Sequence, residues 1–202
     1  MCWNANVSIN TYIFGLFACI FAFFNNKISF MSVLFIQSWL SMQLIEYFIW
    51  SKKFSNRLLS QIALLLGVCQ PIFGILSISN HTAVKYIALV GYLLFVIVTM
   101  LIKPWSKIDF TSVKGPNGHL SWKWLNYPIS IILIWFMFLS IKFVVMGEWF
   151  ILTLLTVGLA VTYALYHNTL TWGSLWCWFA NFASLFIIAR VFYDDVCIYL
   201  HP

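Results

Sequence analysis

The sequence predicts an all-α fold, a polytopic bundle of transmembrane helices with seven spans. Three observations predict it. Of the 202 residues, 63% are hydrophobic and 8% charged, and the mean hydropathy is +0.94. An average soluble domain carries about 25% charged residues, so a soluble fold of this composition could not cover its surface. Apolar runs of about 20 residues recur along the chain, the length a helix needs to cross a bilayer. Short polar or helix-breaking clusters separate them. Unbroken apolarity such as Ile129 to Leu139 favours helices. Membrane barrel strands would show alternating segments of about ten residues instead.

The spans fall at about 9–25, 30–50, 58–78, 83–102, 126–146, 148–166 and 171–192. Asn25-Asn26-Lys27 ends the first and Ser51-Lys52-Lys53 the second. Asn80-His81-Thr82 separates the third from the fourth. Lys103-Pro104 stops the fourth, because proline cannot continue the hydrogen-bond ladder. Gly147-Glu148 divides the fifth from the sixth, and His167-Asn168 the sixth from the seventh. These spans and short loops nearly exhaust the chain, so residues 1–202 read as a single transmembrane domain. No Lys or Arg precedes Lys27 and no small-residue cleavage site is clear. The first apolar segment therefore reads as a retained span, not a signal peptide.

The long connection 103–125 holds the turn-forming Gly115-Pro116-Asn117-Gly118 and divides the chain into four spans and three. The two parts share no persuasive similarity, so no transporter-type repeat is read. Lysine and arginine concentrate on the cytoplasmic side of membrane proteins. Seven of them (Lys52, Lys53, Arg57, Lys103, Lys107, Lys114, Lys123) fall on the side of the N-terminus, against four (Lys27, Lys85, Lys142, Arg190) opposite. This predicts a cytoplasmic N-terminus and an external or lumenal C-terminus. The sequon at Asn80 falls on the outer side, although Asn6-Val7-Ser8 is a sequon on the inner one.

Several function classes are disfavoured. The net charge of +6 sits at span ends, as in other membrane proteins, and signals no nucleic acid. Five cysteines form no CxxC pair, so neither a disulfide framework nor a zinc site is read. His119 and His167 with Cys2 or Glu46 lack ligand spacing on one element, and no metal or other cofactor is implied. The seventh span has no lysine to carry a retinal Schiff base. Lys142 reads as a snorkelling side chain at a span end. Arg190 and Asp194 read as an i, i+4 ion pair.

An ionisable group inside a membrane is the default functional candidate, since an Asp at a span centre costs about 2.5–3.5 kcal/mol on insertion scales. Glu46 in the second span is the clearest here. Trp39, Gln43, Glu46 and Trp50 follow i, i+4, i+7, i+11 spacing and share one helix face, which should look into the bundle. Such a carboxyl can bind a cation, relay a proton, act as acid or base, or simply tie helices together. Gln70-Pro71 lies mid-span, where proline frees a backbone carbonyl for a ligand or a neighbouring helix. In the seventh span Trp172 and Trp176 share a face beside a small-polar stripe of Ser174, Cys177, Asn181 and Ser184. Asn181 is deep enough to need a partner. Given the orientation, Cys2, Asn4, Glu46, Trp50, His119, Trp122, His167, Asn168, Trp172 and Trp176 all lie toward the N-terminal side. The candidate pocket comprises Cys2, Asn4, Gln43, Glu46, Trp50, His119, His167, Trp172, Trp176 and Asn181.

The opening Met1-Cys2-Trp3-Asn4-Ala5, the Gln43, Glu46, Trp50 element, Gly118-His119 and Trp176-Cys177-Trp178 resemble motifs of a known family. It is an uncharacterised family of small seven-span membrane proteins found in bacteria, algae and large DNA viruses. Its members open Met-Cys-Phe/Trp-Ser-Ala and carry Gln-x-x-Glu-x-x-x-Trp in the second span. Asn4 stands where many members have Ser. The Phe-, Ile- and Asn-rich composition resembles an AT-rich genome, such as that of a large DNA virus. The resemblance implies seven spans and no particular activity. It also draws attention to Cys2, which removal of Met1 would expose as a free amine and thiol.

The expected function is binding or translocation of a small solute or ion in a polar and aromatic pocket at the N-terminal face. Two alternatives are a membrane-embedded enzyme using Glu46 with His119, His167 or Cys2, and a structural membrane or virion protein. The lipid bilayer is the expected partner, and homo-oligomerisation is left open.

Overall fold

The computed structural model describes residues 4–175 and 177–200, with Cys177, Trp178 and 194–200 described by backbone alone. Cys2 and Trp176 lie outside the described residues.

Six long helices come first: α1 (Ala5–Phe24), α2 (Phe30–Ser51), α3 (Asn56–Leu76), α4 (Thr82–Ile102), α5 (Ile129–Val145) and α6 (Trp149–Tyr166). A one-turn helix α7 (Trp172–Leu175) and a long α8 (Cys177–Leu200) follow. The starts are written in the sequence. Asn4 accepts from the Val7 amide at 2.9 Å to cap α1, and Ser29 from the Ser32 amide at 3.2 Å to cap α2. Each oxygen meets one of the amides that a helix start leaves unpaired. Pro128 stands just before α5, where its missing N–H is no loss. The expected spans match these helices to within a few residues, except the seventh. That span is divided into α7 and α8, and α8 runs on beyond it.

Among the described residues, five helical segments are long and apolar enough to cross a membrane: Ala5–Phe24, Asn56–Leu76, Thr82–Ile102, Trp149–Thr169 and Trp172–Tyr193. α5 is shorter, at 17 residues, and α2 carries Gln37, Gln43 and Glu46. The protein is thus a helical bundle with several membrane-length helices, and its outside is apolar. Leu101 is 77% exposed, and Phe24, Ile87 and Leu165 are similarly bare. Water would not tolerate so many large exposed side chains, whereas lipid does.

α2 is the central helix. It packs between α1 and α3 and also touches α8. Gly15 lets α1 approach α2 so closely that a Cβ there would strike Leu40. α3 and α4 lean on α5, and α5 on α6. Small residues at such crossings bring helix backbones together where no hydrophobic force does so.

Pro71 sits inside α3 and removes the amide that would bond the Gly67 carbonyl. The Trp135 indole N–H from α5 donates to that carbonyl at 2.9 Å. Next to it, the Tyr92 hydroxyl from α4 donates to the Val68 carbonyl at 2.7 Å. Neighbouring helices therefore satisfy the kink.

The connection after α4 is more than a loop. It forms an antiparallel hairpin, β1 (Ser112–Lys114) with β2 (Leu120–Trp122), in register Ser112↔Trp122 and Lys114↔Leu120. This small sheet is the one departure from an all-α chain among the described residues. Leu120, Trp122 and Trp124 are buried against Ile45, Ile49, Leu59 and Ala63 of α2 and α3. The Asn56 side chain clamps the hairpin, donating to the Ser112 carbonyl at 2.7 Å and accepting its amide at 2.9 Å. The hairpin thus caps the end of the bundle that holds Glu46.

Candidate functional site

Glu46 and Gln43 are each 1% exposed on the inward face of α2. The Ser174 hydroxyl lies 2.8 Å from Glu46 Oε1 and 2.8 Å from the Leu120 carbonyl, and it accepts the Trp122 indole N–H at 3.0 Å. One serine hydroxyl thus joins the carboxyl on α2, the strand β2 and the helix α7. The unit needs all three elements. The hairpin brings Trp122 and Leu120, and the Leu170 turn, with a positive φ of 55°, lets the chain bend into α7. The Trp122 amide donates to the Leu170 carbonyl at 3.0 Å and fastens that turn to the hairpin.

Beside this unit lies a cavity of about 160 Å³. Its polar side holds Gln43, Glu46 and Gln70. Aromatic rings form much of the rest, among them Trp39, Tyr92, Trp122, Trp124 and Trp135. The Trp124 indole N–H and the Tyr127 hydroxyl are buried and have no hydrogen-bond partner among the described residues. Buried donors are normally paired, so such groups lining a cavity favour an acceptor on a bound molecule.

An outer depression of about 300 Å³ adjoins the cavity. Leu125, Tyr127, Ile132 and Trp172 line both, so they form the partition. The depression also holds His167 and Asn168. At the cavity's inner end, Trp39 and Ala180 line it together with a third cavity at the opposite end of the bundle.

The sequence candidates divide accordingly. Gln43, Glu46 and Trp172 line the cavity, with Trp39 from the same α2 face. His167 lies in the outer depression, its Nδ1 3.0 Å from the Tyr163 carbonyl and its ring stacked on Tyr163. Trp50 and His119 are absent from the cavity wall. Trp50 packs on the core beneath the hairpin, and His119 is buried in the hairpin itself. Asn4 is exposed and serves as the α1 cap. Asn181 has the partner its depth requires, donating to Thr11 on α1 at 3.2 Å. Cys2 and Trp176 fall outside the described residues. The cavity wall also holds aromatic residues outside the candidate pocket, among them Tyr92, Trp122, Trp124, Tyr127 and Trp135. Gln70, flagged with its proline, lines it too and donates to the Ser38 carbonyl at 3.3 Å.

At the other end one expectation changes. Lys142 does not snorkel outward. It is 8% exposed and turns toward Ser32 of α2. Arg190 pairs with Glu148 at 3.7 Å, joining α8 to the start of α6, while the Asp194 side chain lies outside the described ones. Among the described residues no three His, Cys, Asp or Glu side chains group closely enough to hold a metal.

Comparison of the chain with protein-family models, with curated proteins and with solved structures finds no match. The functional reading therefore rests on the site itself.

Proposed function

We propose that the chain is a seven-span membrane protein that binds a small solute in the Glu46 cavity, as part of a binding or translocation cycle. The observation that carries this reading is the cavity's lining: aromatic rings with a few polar side chains, among them a buried carboxyl. Its volume of about 160 Å³ is close to the roughly 150 Å³ that accepts one benzene ring. Drug-sized sites run to about 300–1,000 Å³. The size and lining favour a one-ring, mostly apolar molecule with a polar tip over a hydrated ion. A role limited to bracing helices would favour a filled bundle at this point.

Seven spans accommodate α2 and α5 as well. Gln43 and Glu46 of α2 line the cavity, and α1, α3 and α8 pack around the helix. The 17 residues of α5 reach the short end of the range of about 17–25 for a membrane helix. The basic-residue bias supports a cytoplasmic N-terminus, so the Glu46 end would face the cytoplasm. Trp39 and Ala180 separate the Glu46 cavity from the one at the opposite end, so translocation would require them to move.

Titrating the purified protein in detergent with p-cresol and with toluene, read by tryptophan fluorescence, tests the reading. Saturable binding of both is expected, with p-cresol tighter. Glu46→Gln should weaken p-cresol by about tenfold, the worth of one buried hydrogen bond, and leave toluene unchanged. Binding of neither probe, or equal p-cresol affinity in a folded Glu46→Gln protein, would count against it.

A further inference from the structure

Lys142 is a buried cation with too few partners. An ammonium group has three N–H donors. Its one hydrogen-bond contact among the described residues is Ser32 Oγ, at a long 3.5 Å. The faces of Phe35 and Phe143 take up part of the charge, with Nζ 5.0 and 5.8 Å from the ring centres. Glu148, the nearby carboxylate, acts on Lys142 but is shared with Arg190, which pairs with it at 3.7 Å. A buried charge without an adequate counter-charge is strongly unfavourable unless something else supplies one.

The cavity before Lys142 has the chemistry to receive that something. It measures about 340 Å³ and lies between α2, α5, α6 and α8, at the end away from Glu46. Lys142 and Arg190 line it together with the Glu148 carboxylate, and Ser29, Ser32 and Ser77 add hydroxyls. Apolar side chains complete its wall, among them Leu155, Phe179, Phe182 and Phe186. Charged and hydroxyl groups beside these apolar ones form a two-part surface.

We propose that this cavity binds an amphiphile with an anionic headgroup, its oxygens taken by Lys142 and Ser32 with Arg190 at the rim and its chain laid along the phenylalanines. Phosphate and carboxylate headgroups share this chemistry, and either a membrane lipid or a soluble anion can deliver it. Lys142, Ser32 and Arg190 are not part of the Glu46 cavity wall, so different variants and probes test the two readings separately.

Calorimetric titration of the protein in dodecyl maltoside tests the site, with dodecyl phosphate, inorganic phosphate and dodecyltrimethylammonium as probes. Dodecyl phosphate should bind saturably. Lys142→Met should weaken it by at least about tenfold, as loss of a charged hydrogen bond does, and Lys142→Arg should retain it. Binding of dodecyl phosphate but not inorganic phosphate assigns the site to a lipid-type ligand. Comparable binding of both assigns it to a free anion whose head alone is read. The proposal is overturned if neither phosphate binds, or if a folded Lys142→Met protein binds as the wild type does. Should Lys142→Met fail to fold, the cationic probe decides: dodecyltrimethylammonium binding as tightly as dodecyl phosphate rejects an anion site.

Discussion

The Ser174 hydroxyl and the Glu46 carboxyl, on α7 and α2, lie 2.8 Å apart with both groups buried. The same hydroxyl contacts the Leu120 carbonyl and the Trp122 indole, so it is the joint between bundle and hairpin. Ser174→Ala leaves buried polar groups short of a partner, and each such group costs about 1–3 kcal/mol. The expected result is a clear loss of unfolding free energy. Ser174→Ala on a Glu46→Leu background should cost less than Ser174→Ala alone, because part of the desolvation penalty is already gone. A double-mutant cycle on chemical unfolding in detergent measures this coupling, and additive losses would show that the bond carries no shared energy.

A second cycle concerns the kink in α3. The Trp135 indole supplies the Gly67 carbonyl with the hydrogen bond that Pro71 withholds. Trp135→Phe should therefore destabilise the wild type by about 1–3 kcal/mol, the range for an orphaned buried group. On a Pro71→Ala background the residue 71 amide can take the carbonyl, and the hydrogen-bonding part of that loss should shrink. The same unfolding assay on the four proteins checks it. An equal loss in both backgrounds would mean the indole matters only through packing.

The helices were legible because about 20 consecutive apolar residues admit few alternatives in lipid. The inward face of α2 was legible for a similar reason: Trp39, Gln43 and Glu46 repeat at helical spacing, and all three line the cavity. The hairpin was not. Its strands are three residues each, too short for an alternation to register, and the turn between them reads equally well as open loop. Ser174 was visible as one member of a small-polar stripe, but its partner is 128 positions away and no local pattern encodes that contact. Lys142 misled because a lysine at a helix end looks the same whether it reaches outward to headgroups or inward. Its direction is set by Ser32 and Phe35, more than 100 positions away in the chain.

Two glycines should respond in opposite ways to the same substitution. At Gly15 a methyl group would run into Leu40, at the closest approach of α1 and α2. Overpacking of this kind costs about 1–3 kcal/mol. At Gly67 the nearest atom is on the Trp124 ring, 3.8 Å away, an ordinary contact beside the Glu46 cavity. Gly15→Ala should lower the melting temperature in detergent. Gly67→Ala should leave it unchanged or raise it, while weakening p-cresol binding by narrowing the cavity. The reverse order of the melting temperatures would contradict the packing described for α1 and α2.

His119 gives the hairpin a pH dependence of predictable sign. The imidazole is buried, and burial holds its pKa below the ordinary 6.5. Above that pH the folded and unfolded chains both carry a neutral ring, and His119 contributes no slope. As the pH falls below 6.5, the unfolded chain takes up a proton that the folded chain resists. Stability should therefore drop across the window from 6.5 down to the depressed folded value. Unfolding curves in detergent at several pH values between 7.5 and 5 measure the slope, and His119→Gln should flatten it. The His119 amide bond to Asn117 Oδ1, at 3.2 Å, is a backbone contact that the variant keeps, so the hairpin turn itself is not the variable. A slope identical in the variant would place the titrating group elsewhere in the chain.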